Sequence, residues 1–443
     1  MRTNRRPLGD SVGGPNPYDD ILEIRRMNRR RWKAALVFLA MGSCLCEAAD
    51  WPQFRGIGRD GRSEETGLLR QWPDGGPELA WSVDGLGYGY ASAAIASGRV
   101  YTTGMIDKVG YVFCFDTQGG RRWKKPYGDE YTKSYPASRT TPTVNDGRLY
   151  VFSGMGVVVC FDAETGGRIW SVDVFTQFDG QWPRWGMSEC LLIDGDRVIC
   201  TPGGTRACMA ALDKRTGEVV WTCTDINEPS TYGNPICVEY AGYRLIVQML
   251  RDSVVGVDAE SGRLLWRDSF DDYHIDRTRW VNANPPLYSD GCIYTTSGYD
   301  NGGAMIQLSE DPHKITRKWV DKTLDTHHGG TVLVDGHIYG SNFKSMALGD
   351  WACLDWQTGN VMYDEKWQGN RGSLIYADGM LYCYDENKGD VALVPATPEG
   401  FRPVSQFRIT QGGGRHWAHP SISDGLLYIR HGDCLMAYDI RRK

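Results

Sequence analysis

The side chains of this chain that could do chemistry fall in eight short segments: Tyr88 and Tyr90; Ser138 and Arg139; Trp182, Arg184, Trp185 and Glu189; Tyr232 and Asn234; Arg279, Trp280, Asn282 and Asn284; His327 and His328; Asn370 and Arg371; and Arg415, His416, Trp417 and His419. Aromatic rings and guanidinium groups in such density suit a binding surface. The histidines add a metal option. His327-His328 and His416-x-x-His419 present imidazoles of the kind that suit Zn, Cu or Ni, with Glu189 as a further ligand. Adjacent histidines on a strand point to opposite faces, so at most one of His327 and His328 aims inward. The plain reading is of rim histidines bonded to backbone carbonyls. Other chemistry is excluded: Gly412-Gly-Gly-Arg415 lacks the Lys and Ser or Thr of a phosphate loop, and no Gly-x-Ser-x-Gly nucleophile elbow occurs.

What positions these segments is a repeat. Each precedes one of eight glycines, Gly98, Gly147, Gly195, Gly242, Gly291, Gly336, Gly379 and Gly425, spaced 43 to 49 residues apart. Six of these glycines end an Asp-Gly pair, which reaches the positive φ values of a tight hairpin turn. A unit of this length with several strands predicts a β-propeller, in which the segment entering each innermost strand lies near the axis on one face.

A second motif runs in phase. Cys160-Phe-Asp-Ala-Glu-Thr-Gly-Gly-Arg-Ile-Trp170 recurs as Ala211 to Trp221 and as Gly256 to Trp266, with weaker copies at Cys114 to Trp123, at Cys353 to Tyr363, at Trp319 and near Phe407. Each reads as strand, Asp-and-Gly turn, strand. The small residue is expected to leave room for a tryptophan from the neighbouring blade. The docking tryptophans are Trp81, Trp123, Trp170, Trp221, Trp266 and Trp319.

This pattern resembles the tryptophan-docking motif of PQQ-like (pyrroloquinoline quinone repeat) propellers. They include quinoprotein alcohol dehydrogenases and the propeller lipoprotein of the outer-membrane β-barrel assembly machine. Trp51-Pro-Gln-Phe-Arg-Gly, Trp185-Gly-Met-Ser-Glu, Thr201-Pro-Gly-Gly, His327-His-Gly-Gly and Trp417-Ala-His-Pro are similar to exported bacterial members. The resemblance implies an all-β, eight-bladed propeller of four-stranded antiparallel blades. It also implies a possible cofactor, PQQ with Ca²⁺. In that case Arg139 or Arg371 holds a carboxylate, Trp185 is the stacking plate, and Glu189 with Asn282 binds calcium. The vicinal Cys-Cys pair of the dehydrogenases is missing, and no Asp stands out as the base.

The last repeat stops at Asp439-Ile440, short of its outer strand, and Pro77 to Val83 around Trp81 is expected to supply it and close the ring. The expected divisions are a leader at 1–26, a signal peptide at 27–49, an N-terminal extension at 50–76 and a single propeller at 77–443. Arg29-Arg-Arg-Trp-Lys33, an apolar run and Ala48-Ala49 have the order of a secretory signal. Met27 is the expected start, and Cys44 sits in a faint lipoprotein box that would allow membrane association. Nine of the 49 basic and five of the 55 acidic residues precede Asp50, leaving 40 against 50, so the exported part is acidic and shows no nucleic-acid footprint. Cys114, Cys160 and Cys353 are expected as buried small hydrophobes, while Cys200, Cys208, Cys223 and Cys237 are near enough in sequence for a disulfide. The expected function is a periplasmic or envelope binding module, with a protein or polysaccharide partner on the funnel face. The alternatives are a PQQ- and Ca-dependent alcohol or sugar dehydrogenase and a metal-binding propeller.

Overall fold

The computed structural model describes Met1, residues 50–274 and residues 281–442, and Ala48–Lys443 forms one compact unit. The leader, the signal segment with Cys44, and Arg279 and Trp280 lie outside the described residues. The glycine beats are hairpin turns. At Ser97, Asp146, Ala241, Asp290, Asp335, Asp378 and Asp424 the residue before the glycine also has positive φ, as in Asp146 at 47° and Gly147 at 70°. Two consecutive positive values match the right-handed twist of the flanking strands. In the third unit Asp194 pairs with Arg197, which moves the turn to Gly195-Asp196.

Each hairpin joins the first and second strands of a blade. Blade 1 is Ala94–Ala96, Arg99–Ile106, Val109–Asp116 and Arg121–Asp129, hydrogen-bonded in that order, and this order repeats through blade 7. Blade 8 has Ser421–Ser423, Leu426–His431 and Cys434–Asp439, and its fourth strand is Glu78–Val83, antiparallel to the third with Trp81 opposite Ala437. The fold is therefore an eight-bladed propeller of four-stranded antiparallel blades.

The tryptophans dock differently from the sequence expectation. Trp170 lies across from the small Cys160 of its own blade, and its ring then covers the turn glycine Gly217 of the next blade. A Cβ on Gly217 would stand 2.8 Å from Trp170 Cε3, so only glycine fits there, and Gly217 also has φ of +78°. Trp170 Nε1 donates to Lys214 O at 3.2 Å. Trp81, Trp123, Trp221 and Trp319 repeat this arrangement over Gly119, Gly166, Gly262 and Gly359, with Nε1 donating to Thr117, Glu164, Ala259 and Gln357 carbonyls. Trp266 is the exception. The facing turn of blade 5, between Leu308 and Ile315, has no glycine, and Trp266 Nε1 is buried without a partner. The weak repeat at blade 5 thus shows its effect on blade 4. Cys114, Cys160 and Cys353 are fully buried, and Cys200, Cys208, Cys223 and Cys237 are free thiols, as are all the cysteines described.

Within residues 50–76, Trp51 to Ser63 fills the hub between the innermost strands. Trp51 pairs with Ile95 of blade 1, Val144 N of blade 2 donates to Pro52 O at 2.8 Å, and Arg62–Ser63 runs parallel to Gly372–Ala377 of blade 7. Arg55 and Arg59 are 1% and 2% exposed. Arg55 donates to the carbonyls of Leu374 in blade 7 and Thr331 in blade 6, and Arg59 to those of Leu191 and Cys190 at blade 3. A planar guanidinium with five donors can satisfy carbonyls arriving from several directions. Burial lowers both guanidinium pKa values to about 10, well above neutrality, so the hub is held by charged arginines.

Candidate functional site

In an antiparallel blade the connections from the fourth strand to the next blade and from the second to the third strand emerge at the same end. At that end lies a cavity of about 720 Å³. All eight entry segments reach it: Tyr90, Arg139, Trp185, Tyr232 with Asn234, Val281 with Ala283, His327 with His328, Arg371, and Arg415 with Trp417 and His419. Second-to-third-strand loops add Tyr299 from blade 5, Phe343 to Leu348 from blade 6 and Glu386 from blade 7, and Phe54 of the hub segment also lines the cavity.

Its walls are ring faces and guanidinium groups. Trp417 packs against Tyr90 at 4.9 Å, Tyr135 at 5.1 Å and His328 at 5.5 Å between ring centroids. Trp185 lies 5.5 Å from Tyr232, whose hydroxyl accepts from Trp185 N at 3.2 Å. Arg371 rests on Phe343 at 4.7 Å, and its Nε donates to Glu386 Oε1 at 2.7 Å. Glu386 Oε2 is 3.0 Å from His328 Nε2. Burial alone would raise the Glu386 carboxyl, but His328 and Arg371 outweigh it and hold the pKa below the ordinary value. Arg139 donates to the carbonyls of Ala137, Ser134 and Tyr135 at 2.9, 2.8 and 2.7 Å, and burial lowers its pKa. Burial, with Arg371 and His328 nearby, pushes the His327 pKa well below the usual imidazole value, so the ring is neutral.

Of the nine residues given a metal or cofactor role from sequence, six, Arg139, Trp185, His327, His328, Arg371 and His419, line this one cavity. Both His327 and His328 do so because they lie in a loop rather than on a strand, where side chains need not alternate. Three residues are placed elsewhere. Glu189 is fully buried between blades 3 and 4, accepting from Thr201 N at 3.1 Å and Gln248 Nε2 at 3.2 Å, and burial pushes its pKa up to about 8. Asn282 Nδ2 donates to Leu250 O at 2.6 Å. His416 Nδ1 is 2.6 Å from the Tyr384 hydroxyl and its ring stacks on His431 at 3.7 Å, away from the cavity lining. Among the described residues no three His, Cys, Asp or Glu side chains gather as a metal site needs; of the expected set, His327, His328 and His419 line the cavity while His416 and Glu189 lie outside it.

Sequence reading missed Glu130, Glu228 and Asp325, and the role of Glu189, as buried carboxylates that hold the loops of this face. Glu130 accepts from Gly154 N, Glu189 from Thr201 N, Glu228 from Asp252 N, and Asp325 from both Asp300 N and Phe343 N. The donors all sit in second-to-third-strand loops, so each carboxylate ties an entry segment to a loop of the site face. Burial pushes Glu130 and Asp325 up to about 7. An acid near each segment was visible in the sequence, but its buried direction was not.

The calcium-quinone set does not fit these residues. Neither expected calcium ligand lines the cavity: Glu189 accepts from Thr201 N and Gln248 Nε2, Asn282 is held by its Nδ2 at Leu250 O, and Arg139 is engaged by three carbonyls. Glu386, the carboxylate nearest to the histidines, is occupied by Arg371.

An eight-bladed ring with tryptophans docked on turn glycines and a funnel cavity over its hub defines a PQQ-like β-propeller. The chain belongs to the family described as outer membrane protein assembly factor BamB, whose model matches residues 108–365. It is 26% identical over 225 residues to the assembly factor BamB of Kangiella koreensis, covering 50% of each chain. It is also 26% identical over 350 residues to a quinoprotein ethanol dehydrogenase of Pseudomonas aeruginosa, covering 72% of this chain and 54% of the relative. The chain thus spans about half the length of these curated relatives. Among solved structures, BamB from Moraxella catarrhalis superposes with a TM-score of 0.58 at 16% identity, over 82% of this chain and 98% of that one. A quinohemoprotein alcohol dehydrogenase from Comamonas testosteroni gives 0.65 at 12% identity, over 89% and 81%. These two likenesses establish the fold.

Proposed function

We propose that this protein is an exported binding module that holds a partner on the funnel face of its propeller and performs no redox chemistry. The observation that carries this reading is the convergence of all eight entry segments on one aromatic and arginine-lined cavity. Its volume, about 720 Å³, lies within the range of preformed ligand sites. Exposed Tyr88, Tyr135, Trp182, Met346 and Leu348 on the same face offer apolar area for a macromolecule. Kinship to proteins described as assembly factors supports a partner-holding role. Export to the periplasm or envelope rests on the basic and apolar pattern of residues 29–49, and lipidation of Cys44 would add membrane association; mass spectrometry of the mature N-terminus tests both.

Two measurements test the binding reading. A photo-crosslinking residue at Tyr135 or Met346 should yield a defined adduct in the cell envelope, whereas one at Val220 or Met362, exposed on outer strands, should not. Reconstitution with PQQ and Ca²⁺ should give neither saturable cofactor absorbance nor dye-linked alcohol oxidation. Turnover under those conditions would overturn the reading and restore the dehydrogenase.

A further inference from the structure

The cavity has unmet chemistry of two kinds. The first is positive charge. Arg415 is exposed at the mouth, over Trp417 at 5.9 Å, and makes no hydrogen bond or ion pair among the described residues. Arg139 bonds only to neutral carbonyls. Arg371 is 5% exposed, and its Nη1 has no partner even though its Nε is bound to Glu386. A buried guanidinium nitrogen left unbonded is costly, and a ligand oxygen at that point removes the cost. These cations stand on a domain that is acidic overall, so their arrangement favours an anion at this face.

The second kind is neutral. His327 Nδ1 and Nε2 are both buried and unpartnered at the cavity wall. A neutral imidazole has one donor and one acceptor, and a hydroxyl group answers either of them, whereas a bare carboxylate answers only the donor. Flat ring faces at Trp417, Trp185 and Phe343 surround these groups, offering plates for a ring to lie against.

We infer that the occupant of the cavity is an acidic sugar, a pyranose ring bearing a carboxylate and free hydroxyls, presented by an anionic glycan. The carboxylate meets Arg415 and Arg371, the hydroxyls meet His327, and the ring faces lie on Trp417 and Trp185. This rests on the funnel being a binding site, and it chooses a polysaccharide over a protein as the partner.

The test is calorimetry and tryptophan fluorescence on the full-length protein with trimers of galacturonate, mannuronate and glucuronate. Controls are the methyl-esterified galacturonate trimer, maltotriose and a triglutamate peptide. At least one oligouronate should bind saturably and weaken with added salt, and the ester should bind about tenfold more weakly. Arg415→Gln should remove that difference while leaving the melting temperature unchanged, and His327→Phe should weaken acid and ester alike. Equal affinity for the galacturonate trimer and its ester, tighter binding of triglutamate, or no oligouronate binding up to about 1 mM would each overturn the inference. A crosslinked adduct at Tyr135 without oligouronate binding sinks the sugar and leaves the binding module; quinone turnover sinks both.

Discussion

Arg55 Nη1 lies 3.2 Å from His419 Nδ1, and His419 Nε2 lies 2.7 Å from His328 O. The first contact joins the hub segment to the loop entering blade 8, and the second joins that loop to the one entering blade 6. The segment that fills the hub is therefore part of the floor of the cavity, where Phe54 packs on His419 at 4.8 Å. Burial, with Arg55 alongside, pushes the His419 pKa well below the usual value, so the contact joins a charged guanidinium to a neutral acceptor nitrogen.

Arg55 should be irreplaceable even by lysine. Its guanidinium spans the carbonyls of Thr331 and Leu374 and the ring of His419, and one ammonium cannot reach all three in a plane. Arg55→Ala and Arg55→Lys should each cost about 3 kcal/mol or more in denaturant unfolding, since buried acceptors lose their donors. An Arg55→Lys protein as stable as the parent would show that the hub bonds contribute little.

The docking tryptophans should separate by their ring nitrogens. Trp221 Nε1 donates to Ala259 O at 3.1 Å, and Trp266 Nε1 is buried and unbonded. Trp221→Phe should cost about 1 kcal/mol more than Trp266→Phe, because the latter removes an unsatisfied donor along with ring area. Gly217→Ala should be worse than either, with positive φ and the Trp170 ring in the way. Parallel melts of the three variants check this order.

The repeat was legible because its turns demand particular residues: Asp146-Gly147 and its counterparts mark hairpins whatever surrounds them. From that beat the entry segments followed, and with them Arg139, Trp185, His327, His328, Arg371 and His419 on one cavity. Side-chain direction within a segment was not legible. Glu189 and Ser188 are adjacent, yet Ser188 lines the cavity and Glu189 turns inward to Thr201. The hub was hidden for another reason. Arg59 bonds to carbonyls of residues 190 and 191, and a backbone carbonyl leaves no mark on sequence.

Trp81 tests how the first and last parts of the propeller hold together. Its ring covers Gly119 of blade 1 while its strand pairs with Cys434–Asp439 of blade 8. Trp81→Ala should cost about 3 kcal/mol, as for a large core aromatic. An unchanged melting curve would argue that this junction is dispensable.

The buried carboxylates give a pH dependence whose sign is fixed by burial. Glu189 is pushed up to about 8, and Glu130 and Asp325 to about 7, against 4.5 and 3.8 when unburied. The folded state keeps protons that the unfolded chain has already released, so stability from these groups is complete at low pH and is lost as pH rises through the folded values. His327 and His419 act oppositely, because their folded pKa values lie below 6.5, and their contribution is lost only as pH falls below that value. Above pH 6.5 the carboxylates set the slope, joined toward pH 8.5 by buried thiols such as Cys200 and Cys208, whose pKa values burial also raises. Denaturant unfolding should therefore show stability falling between about pH 6.5 and pH 8.5. Glu189→Gln cannot titrate and should flatten that decline, while its amide nitrogen, set against the Thr201 N or Gln248 Nε2 donor, should lower stability at the acid end of the range. A parent protein equally stable across this range, or a Glu189→Gln curve parallel to it, would show that Glu189 is charged in the folded state.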